Sequence, residues 1–288
     1  MFGVSSMTAP LKKVALKRPG KSLKNADPDK WHYSPLFDPN KVTKNHSEFV
    51  QLLENENIEI YWMPEEDEGI ADSVFTYDAS LMTKTGAILM SPGKSLRSGE
   101  QNIHRDFYKK HKIPIIGEVT GEATTEAGDT LWIDDNTIII GRGFRSNKNG
   151  IDQLKSIIVT LGIEVHVFDL PVYLGQSACL HLMSLISLVD TKTALVCLPL
   201  LPVGLFDLLE RKNFKFIEAP YKEFVSSNTL STNVLATAPG RCIMLDGLPE
   251  TKFTLCKAGV NISVFEGDAL CIGCEGGPTC LTRPLLRA

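Results

Sequence analysis

With 288 residues, 43% of them hydrophobic, the chain has the apolar content to bury a large core. Its net charge of −4 excludes the broad basic face that nucleic-acid partners require, and no apolar run approaches the ~18 residues of a membrane helix. Seven cysteines, an odd number confined to the second half of the chain, argue against a secreted disulfide framework and for a reducing, cytoplasmic setting. The first 26 residues hold no acid and carry Lys12, Lys13, Lys17, Arg18, Lys21 and Lys24. That composition keeps mitochondrial import as the lesser alternative, while the apolar core of a secretion signal is missing.

Taken in chain order, apolar residues at helical spacing predict helices near 45–57, 98–112, 148–162, 202–213 and 250–259. Each is followed by a strand-like run: "IEIYWMP", "IPIIGEV", "IEVHVFDL", "FKFIEAP" and "VNISVFEG". Each is preceded by a strand ending in turn chemistry: "VALKRPG", "AILMSPG", "TIIIGRG", "ALVCLP" and "VLATAPG". The unit is strand, loop, helix, strand, and it recurs five times at intervals of roughly 50 residues, a spacing typical of propeller-like arrays. "PGKSL" occurs at Pro19–Leu23 and again at Pro92–Leu96, the corresponding place in units one and two. Unit one also carries a longer Pro-rich insertion around 26–44. The expectation is one α/β domain over 1–288, with 1–10 a flexible extension; a generic α/β sheet protein with irregular loops is the alternative.

Units arranged around an axis bring equivalent positions together, and roughly 7 to 14 residues beyond each post-helix strand the chain holds polar chemistry. Those places are Asp78 in "VFTYDAS", Glu126 in "TTEAGDT", His181 in "ACLHLMS", Asn233 in "LSTNVLA" and Cys280 in "GGPTCLT". Cys280 follows a Gly-Gly-Pro turn that permits close backbone approach, and a histidine beside it stabilises the attacking thiolate. Asp78 and Glu126 are planar acceptors of the kind that fix a guanidinium. Each has a bland reading too: a lone cysteine is more often a small buried hydrophobe, His181 a core histidine, and "EAGD" a turn. Cys271, Cys274 and Cys280 make a C-x2-C-x5-C arrangement that would offer three thiolates to a metal. With no second such pair and no histidine nearby in sequence, buried thiols are the simpler account and no metal is expected.

These motifs resemble the guanidino-group-modifying superfamily, the penteins, and among them the dimethylarginine dimethylaminohydrolases. The resemblance rests on "DSVFTYDAS", "SPGKSLRSGE", "EAGD" followed by "IIIGRGFRSNKNG", "CLHLMS" and the terminal "GGPTCL", and it covers nearly the whole chain. It implies a five-bladed pseudo-symmetric α/β propeller of ββαβ-type units. It further implies Cys280 as nucleophile, His181 as catalytic histidine, Glu126 and Asp78 as guanidinium ligands, Asp72 as a further acid near the substrate, and Arg97 and Arg145 as binders of a substrate α-carboxylate. One departure stands out: Tyr77 occupies the position where dimethylargininases usually carry Glu. The head-group pocket is therefore expected to differ, and free arginine becomes a rival substrate.

The expected reaction is cysteine-dependent hydrolysis of a C–N bond in the guanidinium of an arginine-like amino acid, through a covalent thiouronium and without a cofactor. The expected partner is that small guanidino amino acid, with homo-oligomer formation left open. Amidino transfer to an amine, arginine deiminase-like hydrolysis, and a ligand-binding module without turnover are the alternatives.

Overall fold

The computed structural model describes residues 1–65, 69–176, 178 and 180–288. Among these the strands form five three-stranded sheets of one plan. In each, an inner strand pairs antiparallel with a middle strand, and the middle strand pairs in parallel with an outer one. Parallel neighbours need a crossover, and here it is a helix. Unit two runs Ser80–Met82, Ala87–Leu89, helix Glu100–Lys110 and Ile115–Glu118. Unit three runs Thr130–Asp134, Thr137–Arg142, helix Lys148–Val159 and Glu164–Asp169. Unit four runs Ile186–Asp190, Thr193–Val196, helix Val203–Arg211 and Lys215–Glu218, and unit five Leu235–Ala238, Arg241–Leu245, helix Pro249–Lys257 and Asn261–Phe265. Unit one takes its middle strand Leu11–Leu16, helix Val42–Asn55 and outer strand Glu59–Trp62 from the start of the chain, and its inner strand Arg283–Arg287 from the end. The fold is the five-bladed pseudo-symmetric α/β propeller that the resemblance implied.

Burial grades outward along every sheet. Ser80–Met82 is buried at all three positions, whereas Glu59–Trp62 and Ile115–Glu118 are half-buried or exposed along their length. The innermost strands therefore lie at the axis, where those of units four and five touch each other, as do those of units one and two. Local chemistry sets the helix starts: the Asn147 side chain accepts from Gly150 N at 2.8 Å, and Pro249 opens the last helix, where a missing N–H costs nothing. The two oxygens of Glu223 then accept from Glu250 N and Thr251 N, each at 2.8 Å, so one unit's carboxylate satisfies the orphan amides of the next helix.

The closing strand carries two buried arginines. Arg283 places its guanidinium over the Tyr77 ring at 4.2 Å and donates to the carbonyls of Tyr77 and Ser80 in unit two. Arg287 donates to Ala236 O in unit five at 2.8 Å and to Ala9 O at 2.8 Å. Burial lowers its pKa to about 10, and its carbonyl partners keep the charge hydrogen-bonded.

Three expectations need correction. The "VLATAPG" run forms the inner strand of unit five, and the strand that leads into its helix is Arg241–Leu245. The strand-loop-helix-strand unit also lacks the inner strands, which are buried on both faces and so show no period-two alternation. Residues 1–10 are tied down rather than loose: Gly3 N donates to Leu285 O at 2.8 Å, Arg287 N returns to Gly3 O at 3.1 Å, and Val4 is 4% exposed.

Candidate active site

Each unit has a turn just ahead of its inner strand, and the five polar residues singled out by phase occupy those turns. Asp78 precedes Ser80–Met82, Glu126 precedes the turn Ala127–Asp129, His181 precedes Leu182–Ser184, Asn233 follows Leu230–Thr232, and Cys280 precedes Arg283–Arg287. The turns are stitched into a ring. Gly128 N donates to Asp78 Oδ1 at 2.9 Å, Leu182 N to Asp129 Oδ1 at 2.9 Å, and Thr232 Oγ1 to Ser184 O at 2.5 Å. Thr279 N donates to Asn233 Oδ1 at 3.0 Å, and Tyr77 N closes the circle on Cys280 O at 3.1 Å. The ring fixes backbone positions, so the side chains converge on an ordered frame.

Asp78, Glu126 and His181 meet with their ligating atoms all within 4.8 Å. Asp78, His181 and Cys280 line a cavity of about 40 Å³ whose walls also include Asp72, Arg97 and Arg145. Glu126 underlies that cavity: its Oε2 is 2.6 Å from His181 Nε2, and Arg145 Nη1 lies 3.2 Å from the same oxygen. Burial alone would push the Glu126 carboxyl up, but Arg145, the hydrogen bond with His181 and Arg97 together hold it well below the usual carboxylate range. Gly93 N at 2.8 Å adds a donor to its Oε1. Glu126 is thus a permanent anion under the histidine. Behind it, burial raises Asp129 to about 6 despite His181, Ser146 Oγ at 2.6 Å and Leu182 N. At Gly128 an added Cβ would lie 2.8 Å from the His181 ring, so the close approach of backbone to imidazole needs a residue without a side chain.

The arginines divide their tasks. Arg97 is 4% exposed; its Nη1 donates to Asp78 Oδ2 at 2.6 Å, its Nε and Nη2 to Glu100 at 2.8 Å each, and its Nη2 also to Phe75 O at 3.1 Å. Four of its five N–H bonds are used within the protein. Arg145 lies nearer the mouth, as does Lys94, which donates to Asp72 Oδ2 at 2.7 Å and to Trp31 O at 3.0 Å. Tyr33 Oη donates to the other oxygen of Asp72 at 2.7 Å.

Tyr77 is buried, with its ring on Arg283. It borders a second, smaller cavity beside Cys280 and His181 rather than the charged one. The carboxylate expected there from the resemblance is thus replaced by an aromatic wall. Sequence reasoning missed Lys94, Trp31, His32 and Glu275, which all line the charged cavity. Lys94 lay inside the repeated "PGKSL", and Trp31 and His32 inside the insertion, so both had a signal. Glu275 had none: it sits at φ 59° one residue before the Gly-Gly pair, with its carboxyl pushed up by burial.

Two other arrangements carry less chemistry. Cys271, Cys274 and Cys280 do not gather as a metal-sized cluster among the described residues, and burial raises the Cys271 thiol well above its ordinary value. Cys179 in "CLHLMS" lies outside the described residues. Asp78, Glu126 and His181 are close enough to hold a divalent ion, but Arg97 and Arg145 already neutralise the two carboxylates, and a dication would face both guanidiniums. A cavity of about 1100 Å³ between Arg18, His46 and Trp62 is remote in composition from this chemistry: none of the five turn residues lines it.

Comparison with known proteins agrees with this fold. The arginine deiminase family model matches residues 68–202. The N(G),N(G)-dimethylarginine dimethylaminohydrolase of Pseudomonas aeruginosa is 28% identical over 226 residues, 77% of this chain and 80% of that protein. Among solved structures, a mutant of the dimethylarginine dimethylaminohydrolase from P. aeruginosa complexed with citrulline superposes with a TM-score of 0.77 at 24% identity, over 95% of this chain and 98% of that one. SxtG, an amidinotransferase from Microseira wollei, superposes with a TM-score of 0.78 at 16% identity, over 99% of this chain and 97% of that one.

Proposed function

We propose that the chain is a pentein close to the dimethylarginine dimethylaminohydrolases, and that it hydrolyses the guanidinium of an Nω-methylated arginine to citrulline and a methylamine. The observation that carries this reading is the convergence of Asp78, Glu126 and His181 within 4.8 Å beside a cavity that Cys280 also lines. Two carboxylates receive the planar cation. Arg145 and Lys94, at the mouth, receive the α-carboxylate, while Arg97 acts from below by orienting Asp78; Asp72 offers an acceptor to the α-amino end.

In the first step the Cys280 sulfur bonds to the guanidinium carbon, the C–N bond breaks, and the imidazolium of His181 gives its proton to the departing amine. Glu126, held anionic, stabilises that imidazolium and fixes its orientation, as a carboxylate partner does for a catalytic histidine. In the second step water adds to the thiouronium carbon, the C–S bond breaks with its electron pair returning to sulfur, one proton passes to His181 and the second leaves as the ureido carbonyl forms.

Free arginine is the second reading, favoured by the aromatic Tyr77 in place of a carboxylate and by the family model matched. The test incubates purified chain with asymmetric dimethylarginine and, separately, with arginine, and measures citrulline, dimethylamine and ammonia. Dimethylamine with citrulline supports the first reading. Ammonia from arginine alone moves the assignment to a deiminase, and transfer of the amidino group to an added amine with no citrulline moves it to an amidinotransferase.

A further inference from the structure

Cys280 and His181 form a partition between two cavities of opposite character. On one side lies the charged cavity of Asp72, Asp78, Arg97 and Arg145. On the other lies a cavity of about 20 Å³ whose walls include Ser184, Thr229, Asn233 and Thr279. That volume suits one or two waters and no amino acid. Apart from Cys280, His181 and Tyr77, its one ionisable wall is Glu275, which borders both cavities; the remaining polar groups are neutral hydroxyls and an amide, suited to a neutral guest rather than to a guanidinium.

Two details show that this cavity is built. Asn233 Nδ2 donates to Cys280 Sγ at 3.2 Å while its Oδ1 accepts from Thr279 N at 3.0 Å, so one amide sets the sulfur and the neighbouring backbone together. Asn233 fits there because residue 277 is glycine: an added Cβ would lie 2.4 Å from Asn233 Cγ. The second detail is the Thr279 hydroxyl. Thr279 is 3% exposed, borders both this cavity and a smaller one of about 10 Å³ beside Met183 and Arg283, and its Oγ1 has no hydrogen-bond partner among the described residues, an arrangement that costs about 1–3 kcal/mol unless a guest supplies the bond.

Resting on the hydrolase reading above, we propose that this small cavity is the site of the hydrolytic water, hydrogen-bonded by Thr279 Oγ1 and delivered beside the imidazole of His181, and that Asn233 holds the Cys280 sulfur on the wall between water and substrate. The water then attacks the thiouronium carbon from the side of His181. Its O–C bond forms as the C=N electron pair moves to nitrogen, and the C–S bond then breaks with its pair returning to sulfur, one proton passing to His181 and the second leaving as the ureido carbonyl forms. A water bound in its own compartment is present before the amine has left, which favours hydrolysis over capture of the intermediate by a second amine.

The experiment separates formation of the Cys280 adduct from its breakdown. Wild type, Thr279→Val and Thr279→Ser are mixed with asymmetric dimethylarginine and with arginine, and the intact protein mass and the citrulline released are followed from the first turnover. Thr279→Val, similar in shape but without the hydroxyl, is expected to form the adduct within twofold of the wild-type rate, to break it down about tenfold more slowly, and so to accumulate it. Thr279→Ser is expected to restore breakdown. Adduct that never accumulates in Thr279→Val while wild type turns over overturns the water site alone, as does equal slowing of both steps. A wild-type chain that turns over neither compound overturns the hydrolase reading and the water site with it.

Discussion

Glu126 and Glu100 are both buried glutamates facing an arginine, yet their pKa values are shifted in opposite directions. Glu126 is held well below the usual range by Arg145, His181 and Arg97 against its burial. Glu100 is raised to about 7, because burial outweighs its bond to Arg97 and because Asp72 and Asp78 repel its charge. The arginine beside Glu100 is also spent on Asp78, whereas Glu126 collects a histidine, a second arginine and the amide of Gly93. Burial therefore does not decide the charge state of a carboxylate; the number of donors it does not share decides it. One region of the ring is an anion held firmly for a cation, and the other is a carboxylate paired with Arg97 that protonates more readily.

The largest effect expected of a change here is on turnover. Glu126→Gln keeps the shape but removes the anion under His181, and kcat/KM should fall about 10²–10³-fold in a citrulline assay; an unchanged value would break the assignment of Glu126 to the reacting side. Next, Arg97→Leu leaves Glu100 and Asp78 buried without their cation and should cost about 3–5 kcal/mol in urea unfolding, with part of the loss recovered in Arg97→Leu/Glu100→Leu.

The pH dependence of stability sharpens the contrast. Glu100 has a folded pKa raised to about 7 from 4.5, so its contribution is fully present below 4.5 and is lost as pH rises through 7. Relative to Glu100→Gln, wild type should lose about 1–3 kcal/mol over that window. Glu126 has a depressed pKa, so its contribution is present above 4.5 and lost as pH falls below it; the stability gap to Glu126→Gln should shrink in acid. Parallel slopes for the two pairs would remove the distinction. Smallest of all, Tyr77→Phe keeps the ring on Arg283 and loses a hydroxyl whose nearest acceptor is Met7 Sδ at 3.9 Å, so both stability and turnover should change by less than about 1 kcal/mol.

The legible part of this molecule was the part with a period. The five helices and the parallel strands beside them show apolar spacing because one face is wet, and Asp78, Glu126, His181 and Cys280 were found by phase because each unit places its turn at the same step. Inner strands such as Ile186–Asp190 are buried almost throughout and have no wet face to write a pattern. Asn233 was found by the same phase, but its bond to the Cys280 sulfur was not legible, and Thr279 reads as an ordinary turn residue in sequence; only its position against Cys280 distinguishes it. Lys94 and Trp31 depend on where an irregular insertion returns, which no local spacing encodes.

The closing strand has a consequence for the order of events during synthesis. Arg283–Arg287 completes the sheet begun by Leu11–Leu16, so the chain must hold that early strand without an inner neighbour until residues 283–287 have been made. Contacts between residues about 270 positions apart are the slowest kind to form. Cys280 stands three residues before that strand, so the thiol meets its histidine and carboxylates only when the circle shuts. A nascent chain that has not yet made residues 280–287 can carry four finished blades and still present no assembled nucleophile.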